Sequence, residues 1–208
     1  HPAFAASDVD GYQHRNPRGR YYGICAPPRN VPACNNKRIG VYDFTSATGD
    51  GADTNGHGSH TSATAVGNTR PHTFPAPQGF SVVTRLSGMA PHANLIAYKT
   101  GSEVHAGSAV IMALEQAIVD QVDVISWSLG DSPRDPWAAL DGVTEDPSNV
   151  AATNAVRAGI LFAASAGNGG PMSMFSDITS LPWVVSVGSS SSDRRVGTSL
   201  ADLTGSAA

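Results

Sequence analysis

The sequence predicts an α/β domain built on a mainly parallel sheet with helices on both faces. Short apolar runs recur at LIAY (Leu95 to Tyr98), VDVISWSLG (Val122 to Gly130), ILFAASAGN (Ile160 to Asn168) and WVVSV (Trp183 to Val187). Stretches with apolar residues at helical spacing separate several of them, and that alternation is what a sheet buried on both faces requires. Composition points the same way. Charged residues make up 14% of the chain, below the usual quarter, and the 22 glycines favour closely packed elements joined by tight turns over a solvated helical bundle.

Residues 1 to 36 are rich in Pro, Arg, Tyr and Gly without any period, and read as an ordered loop region. KRIGVYDF, residues 37 to 44, predicts a short strand. From Ser108 to Asp120, the residues Val110, Ile111, Leu114, Ala117 and Ile118 share one helical face, with Ser108 as the expected N-cap. Pro147 to Arg157 predicts a second helix, stopped by Gly159. Trp127 sits inside an apolar run and is expected in the core. In open α/β sheets ligands bind beyond the carboxyl ends of the strands. Ser128-Leu129-Gly130 and Ala166-Gly167-Asn168 fall there, both small and rich in accessible backbone.

A chain of 208 residues can bury one sizeable core, so a single domain is expected. The net charge of −4 without a basic stripe argues against nucleic acid as a partner, and no apolar run has the length of a membrane span. The chain starts at His1 with no charged and apolar leader, and reads as processed or cut. Its two cysteines, Cys25 and Cys34, enclose eight residues, three of them prolines. They read as a disulfide closing a short loop, which implies an oxidising compartment and a stabilisation of roughly 2–3 kcal/mol. Two separate thiols, or half of a metal site shared with histidines, are the other readings.

The stretch DTNGHGSHTSATAVGN, Asp53 to Asn68, carries His57 and His60. Imidazole suits proton transfer and metal binding equally. As metal ligands the two would need Asp53 or His72 to complete a site, and water would then replace a side-chain nucleophile. Yet H-E-x-x-H is absent and no carboxylate lies between or just after the histidines. As a general base, His57 has room for close approach, because Gly56 and Gly58 flank it. Ser59, Ser62, Ala63, Ala65 and Gly67 keep the following helix slim enough to pack tightly against another. His60, one turn on, is expected to be a buried structural residue.

NGHGSHTSATAVGN resembles the histidine motif of the subtilases, the subtilisin-like serine peptidases, usually written N-x-H-G-T-H-V-A-G, with Ser59 in place of Thr. MAPHANLIAYK (Met89 to Lys99), VDVISWSLG and ILFAASAGNGG match further motifs in the family's order. The resemblance implies a three-layer subtilisin-like fold and a polypeptide substrate. It makes His57 the catalytic histidine and Asn168, with Gly167 beside it, the oxyanion residue. Ser128, Leu129 and Gly130 become the strand end that pairs with substrate backbone, and Gly101 to Gly107, GSEVHAG, would flank the peptide on its other side. The chemistry needs no cofactor. Many subtilases bind structural calcium, and no residue here is assigned to it.

The family orders its triad Asp, His, Ser. Its D-T-G motif is not found within residues 1 to 208, whereas HPAF at the start resembles the H-P-x-F that follows that motif. Asp43 in VYDFTS also ends an apolar stretch, but it stands 14 residues before His57, closer than the family places its Asp. Gly197-Thr198-Ser199-Leu200-Ala201 resembles the nucleophile motif G-T-S-M-A, yet Ser199 follows Asn168 by 31 residues, about half the family's separation. Residues 193 to 208 match the place where secreted relatives receive a protease-associated domain, and CAPPRNVPAC matches a cysteine loop of that branch. Residues 1–208 are therefore expected to be a partial catalytic domain of a secreted endopeptidase, incomplete at both ends and inactive alone. Its Asp motif would precede residue 1, its Ser motif would follow residue 208, and the parent chain could bring a propeptide or the inserted domain. The competing readings are a noncatalytic peptide-binding module that keeps the groove, and a metallohydrolase.

Overall fold

The computed structural model describes residues 1–29, 34–46, 49–75, 81–102, 105–130, 145–168 and 178–191. In chain order the strands and α-helices are β1 (Tyr22–Gly23), β2 (Arg38–Asp43), α1 (His57–Val66), β3 (Arg70–Pro75), β4 (Ser81–Leu86), β5 (Leu95–Lys99), α2 (Gly107–Val119), β6 (Val124–Trp127), α3 (Pro147–Arg157), β7 (Leu161–Ser165) and β8 (Val185–Val187). Single 3-10 turns lie at Pro2–Phe4 and Ile178–Ser180. Two parallel three-stranded sheets, β1-β2-β5 and β6-β7-β8, accompany one antiparallel hairpin, β3-β4. This is the mixed α/β architecture with parallel sheets that the apolar runs predict. Among the described residues, β5 and β6 are joined through α2 without pairing to each other, and each ends its sheet.

The region read as loop contributes more than loop. Tyr22 and Gly23 pair with Gly40 and Val41, and the buried Tyr22 ring adds to the core. A two-residue strand is too short to show a period, so its partner β2 creates it. The β3-β4 hairpin also lies outside what the sequence pattern predicts. Pro71 and Pro75 cannot donate to a ladder, which demotes such a run to an edge position.

α2 buries Ala109, Val110, Ala113, Leu114 and Ala117 on the predicted face. Its cap differs from expectation. The Ala106 carbonyl already accepts from Val110 N at 3.1 Å, so the first turn closes early and Ser108 falls inside the helix, with no side-chain cap. At the other end, Asp120 accepts from the Tyr42 and Tyr98 hydroxyls at 3.0 and 2.7 Å, tying α2 to β2 and β5. In α3, Pro147 occupies the first turn, Asp146 caps Ser148 N at 2.8 Å, and Gly159 at φ +89° ends the element as predicted.

Helices α2 and α3 cover one face of β6-β7-β8, where Phe162 and Ala164 are buried and Ile125 and Trp127 pack beside them. Trp127 thus belongs to the core, its ring 6.0 Å from that of Phe162. The register pairs Val124 with Leu161, Ala163 with Val185, and Ser165 with Val187, so these residues share the opposite face. There Val124, Leu161, Val185 and Val187 are 55, 55, 48 and 53% exposed.

Candidate functional site

The loop before α1 is shaped by one carboxylate. Asp53 Oδ1 accepts the backbone N–H groups of Asn55 at 3.1 Å and Gly56 at 2.7 Å, and Oδ2 accepts that of Ser59 at 2.8 Å. These bonds, led by the one from Gly56 and joined by the Ser59 hydroxyl, hold the carboxyl down at about 2. The N-cap Gly56 sits at φ +93°, a conformation that disfavours side chains, and has no side chain with which to cap.

His57 opens α1 with an exposed side chain, its Nε2 2.9 Å from the carbonyl oxygen of Ser128, 71 residues away. A carbonyl only accepts, so Nε2 carries the hydrogen in this contact. His60 is exposed, and α1 has no buried residue, which corrects the expectation of a buried His60 and of tight packing against another helix. The slim residues of α1 serve backbone approach instead. Gly88 N donates to Gly67 O at 2.8 Å, Met89 N to Thr64 O at 3.1 Å and Ala90 N to Ala65 O at 2.9 Å, which satisfies the last carbonyls of the helix. A Cβ at Gly88 would stand 2.4 Å from Gly67 N, so position 88 admits no side chain.

β6 and β7 run in parallel register through Trp127 and Ala164, so residues 128 to 130 and 166 to 168 leave adjacent strand ends side by side. Ser128 and Leu129 are half-buried and Gly130 is exposed. Ala166 N donates to Val187 O at 2.8 Å, Gly167 turns at φ +93°, and Asn168 is exposed on the bend that follows. The structure thus joins His57 directly to Ser128, and sets Asn168 just past the end of the neighbouring strand.

On the other side Gly101 bridges His105, whose Nδ1 lies 2.9 Å from Thr100 Oγ1. Burial, with the nearby His57 as second cause, holds His105 below its ordinary value. Of the GSEVHAG stretch, residues 103 and 104 lie outside the described residues, as do Ser199 and the whole of 193 to 208.

Asp43 is engaged elsewhere. It accepts from Thr45 N at 3.0 Å and Gly51 N at 3.2 Å and pairs with Lys99 at 3.5 Å. Its side chain is nearly buried; burial pushes its carboxyl up, but the Thr45 bonds and Lys99 outweigh this and hold it below the usual range. Cys25 and Cys34 form a disulfide, with Cα atoms 5.6 Å apart. Among the described residues the group with metal-ligand spacing is Asp8, Asp10 and His92; His57 and His60 do not form one with Asp53 or His72. Both oxygens of Asp53 are already held by N–H groups, which removes the carboxylate that the metal reading needs.

His57 thus opens a helix and meets the carboxyl end of β6, while an exposed Asn follows the end of the adjacent strand β7. The sequence profile of the Subtilase family, Peptidase S8, matches residues 12–205, and the chain belongs to that family. Its relatives include the subtilisin-like protease SBT2.6 of Arabidopsis thaliana, 33% identical over 211 residues that cover 94% of this chain and 25% of that protein. SBT4.9 of the same plant is 38% identical over 181 residues, 86% of this chain and 23% of that protein. The chain spans about a quarter of the length of the curated relatives it matches.

Asp53 is the residue of the site that sequence reasoning weighed only as a metal ligand. Its signal was present: an Asp four residues before the histidine, ahead of a glycine that cannot cap.

Proposed function

We propose that residues 1–208 form the part of a secreted subtilisin-like serine endopeptidase that supplies the general base, the oxyanion donor and the substrate-pairing strand. The contact of His57 with the carboxyl end of β6 carries this reading. In the acyl-transfer cycle a serine attacks the peptide carbonyl, and His57 Nε2 takes the hydroxyl proton and then hands it to the leaving amine. For that step the neutral ring must carry its one hydrogen on Nδ1, so the proton on Nε2 exchanges with water while Nδ1 gains one, and the bond to Ser128 O gives way before the nucleophile docks. The Asn168 amide donates to the oxygen that gains charge, with Gly167 placing it, while Ser128, Leu129 and Gly130 pair with the extended substrate. No cofactor takes part.

The triad Asp and Ser are proposed to lie outside residues 1–208, so that this chain alone turns over no substrate. Among the described residues β5 and β6 each end a sheet, which supports a further parallel strand between them that would merge the two sheets and bring a carboxylate towards His57. The exposed apolar face of β6-β7-β8 supports a covering layer, since parallel sheets bury both faces. The disulfide favours an oxidising, extracellular setting.

The test uses the complete polypeptide and a phosphonofluoridate, which labels an activated serine. Labelling is expected, with His57→Ala lowering kcat at least ~100-fold and abolishing the label, and Asn168→Ala lowering kcat about 10²–10³-fold. Peptidase activity that survives in His57→Ala, or that a chelator removes while the label does not react, overturns the reading. An intact polypeptide that binds peptides without labelling selects the noncatalytic module instead.

A further inference from the structure

We infer that Asp53 is the positioning residue for His57: it replaces the missing N-cap of α1 and thereby fixes where the imidazole points. The inference rests on His57 being the base. The imidazole is exposed; among the described residues its hydrogen bond beyond its own loop goes to Ser128 O, and His105 lies near it. Its direction is therefore inherited from the backbone at the start of α1 rather than from packing around the ring. That backbone is held by Asp53 on both sides of position 57. Oδ1 grips Gly56 N, the residue before, and Oδ2 grips Ser59 N, two residues after, while His57 N itself donates to Asn55 Oδ1 at 3.3 Å.

A helix normally satisfies its third N–H with the side chain of its N-cap. Gly56 cannot do this, and its left-handed conformation would be strained for a residue that could. A carboxylate three residues upstream solves both problems at once, and its charge faces the positive end of the helix. The loop can turn sharply enough at Gly56 to present His57 at the very first position of α1, where no preceding turn shields the ring.

The test compares Asp53→Ala, Asp53→Asn and, as a control, Asp146→Ala, which removes the corresponding cap from α3. In the complete polypeptide the readout is the nitrogen-15 and proton shifts of the His57 imidazole, at a temperature where all variants keep the far-ultraviolet dichroism of the parent. Asp53→Ala is expected to move the His57 Nε2 signals to those of a solvated imidazole. Asp53→Asn, which keeps one acceptor oxygen, should give an intermediate shift, and Asp146→Ala should leave His57 in place. In the complete enzyme Asp53→Ala should lower kcat about tenfold or more with KM little changed, and Asp53→Asn should recover part of the loss.

Unchanged His57 signals in both Asp53 variants overturn the inference, as does an equal displacement by Asp146→Ala, which would mean general destabilisation. Should Asp53→Ala fail to fold, Asp53→Asn decides alone. The two readings separate cleanly. His57→Ala that stays active removes the peptidase assignment yet leaves the imidazole shifts to judge Asp53, whereas inactive His57→Ala with fully active Asp53→Ala removes the positioning role only.

Discussion

The two parallel sheets are held together by different forces. Around β6-β7-β8 the interior is apolar, with Phe162, Leu181, Leu114 and a run of alanines from α3 closely packed. Around β1-β2-β5 the contiguous apolar cluster is smaller, Ile24, Cys25 and Val41 with Tyr22 and Ile39 buried on β1 and β2, and buried polar groups take a larger share. There Lys37, wholly buried, donates to the carbonyls of Pro91 and Ala93 at 2.6 Å each, and burial lowers its ammonium to about 8. Asn68, also buried, bonds to His14 at 2.8 Å and to the backbone of Ala5 and Ser7 at 3.0 and 3.1 Å. Small chains can stabilise a region by area or by directed bonds and covalent closure, and this one does each in a different half. The half that carries His57 is the one built on directed bonds, which fix angles as well as energies.

The sharpest way to break this contrast is in the apolar half. Phe162→Ala should destabilise the chain by about 3–5 kcal/mol, read from the denaturant midpoint. A loss below about 1 kcal/mol, the size of a tolerated volume-conserving swap, would mean that the sheet does not rest on that ring. In the other half, Cys25→Ser combined with Cys34→Ser should cost about 2–3 kcal/mol. Hydrogen exchange should then quicken around β1 and β2 while β6 and β7 hold; uniform quickening would erase the distinction between the halves. The smallest effect is electrostatic. Asp53 titrates at about 2 when folded against 3.8 unfolded, so the unfolded chain binds its proton first. Its stabilisation is complete above about pH 4 and is lost as pH falls through about 2. The stability difference between the parent and Asp53→Asn should therefore shrink across that window, and a difference that grows on acidification contradicts the sign.

What the sequence revealed follows the same division. Strands β5, β6, β7 and β8 were legible because buried parallel strands are written as unbroken apolar runs, and α2 and α3 because period, Pro147 and Gly159 mark them. β1 was not legible, since two residues carry no pattern of their own and β2 creates the strand by pairing. The β3-β4 hairpin buries none of its described side chains, and its prolines argue against it. His60 was misjudged because the small residues of α1 read as a packing surface, when their use is to admit the backbone of residues 88 to 90. At the proposed site, motif resemblance points to His57 and Asn168, but the approach of His57 to Ser128 spans the long connection from α1 to β6, which no local pattern encodes. The role of Asp53 escaped for another reason: it acts through the amides of its neighbours, and those have no sequence.

The open margins of β5 and β6 have a practical side. Among the described residues each is the last strand of its sheet, and a row of amide and carbonyl groups left open at such an edge recruits whatever extended chain it meets. Separately from any chemistry, where no other segment of the polypeptide occupies those margins, residues 1–208 should be prone to self-association, and a strand that fills them should keep the protein soluble.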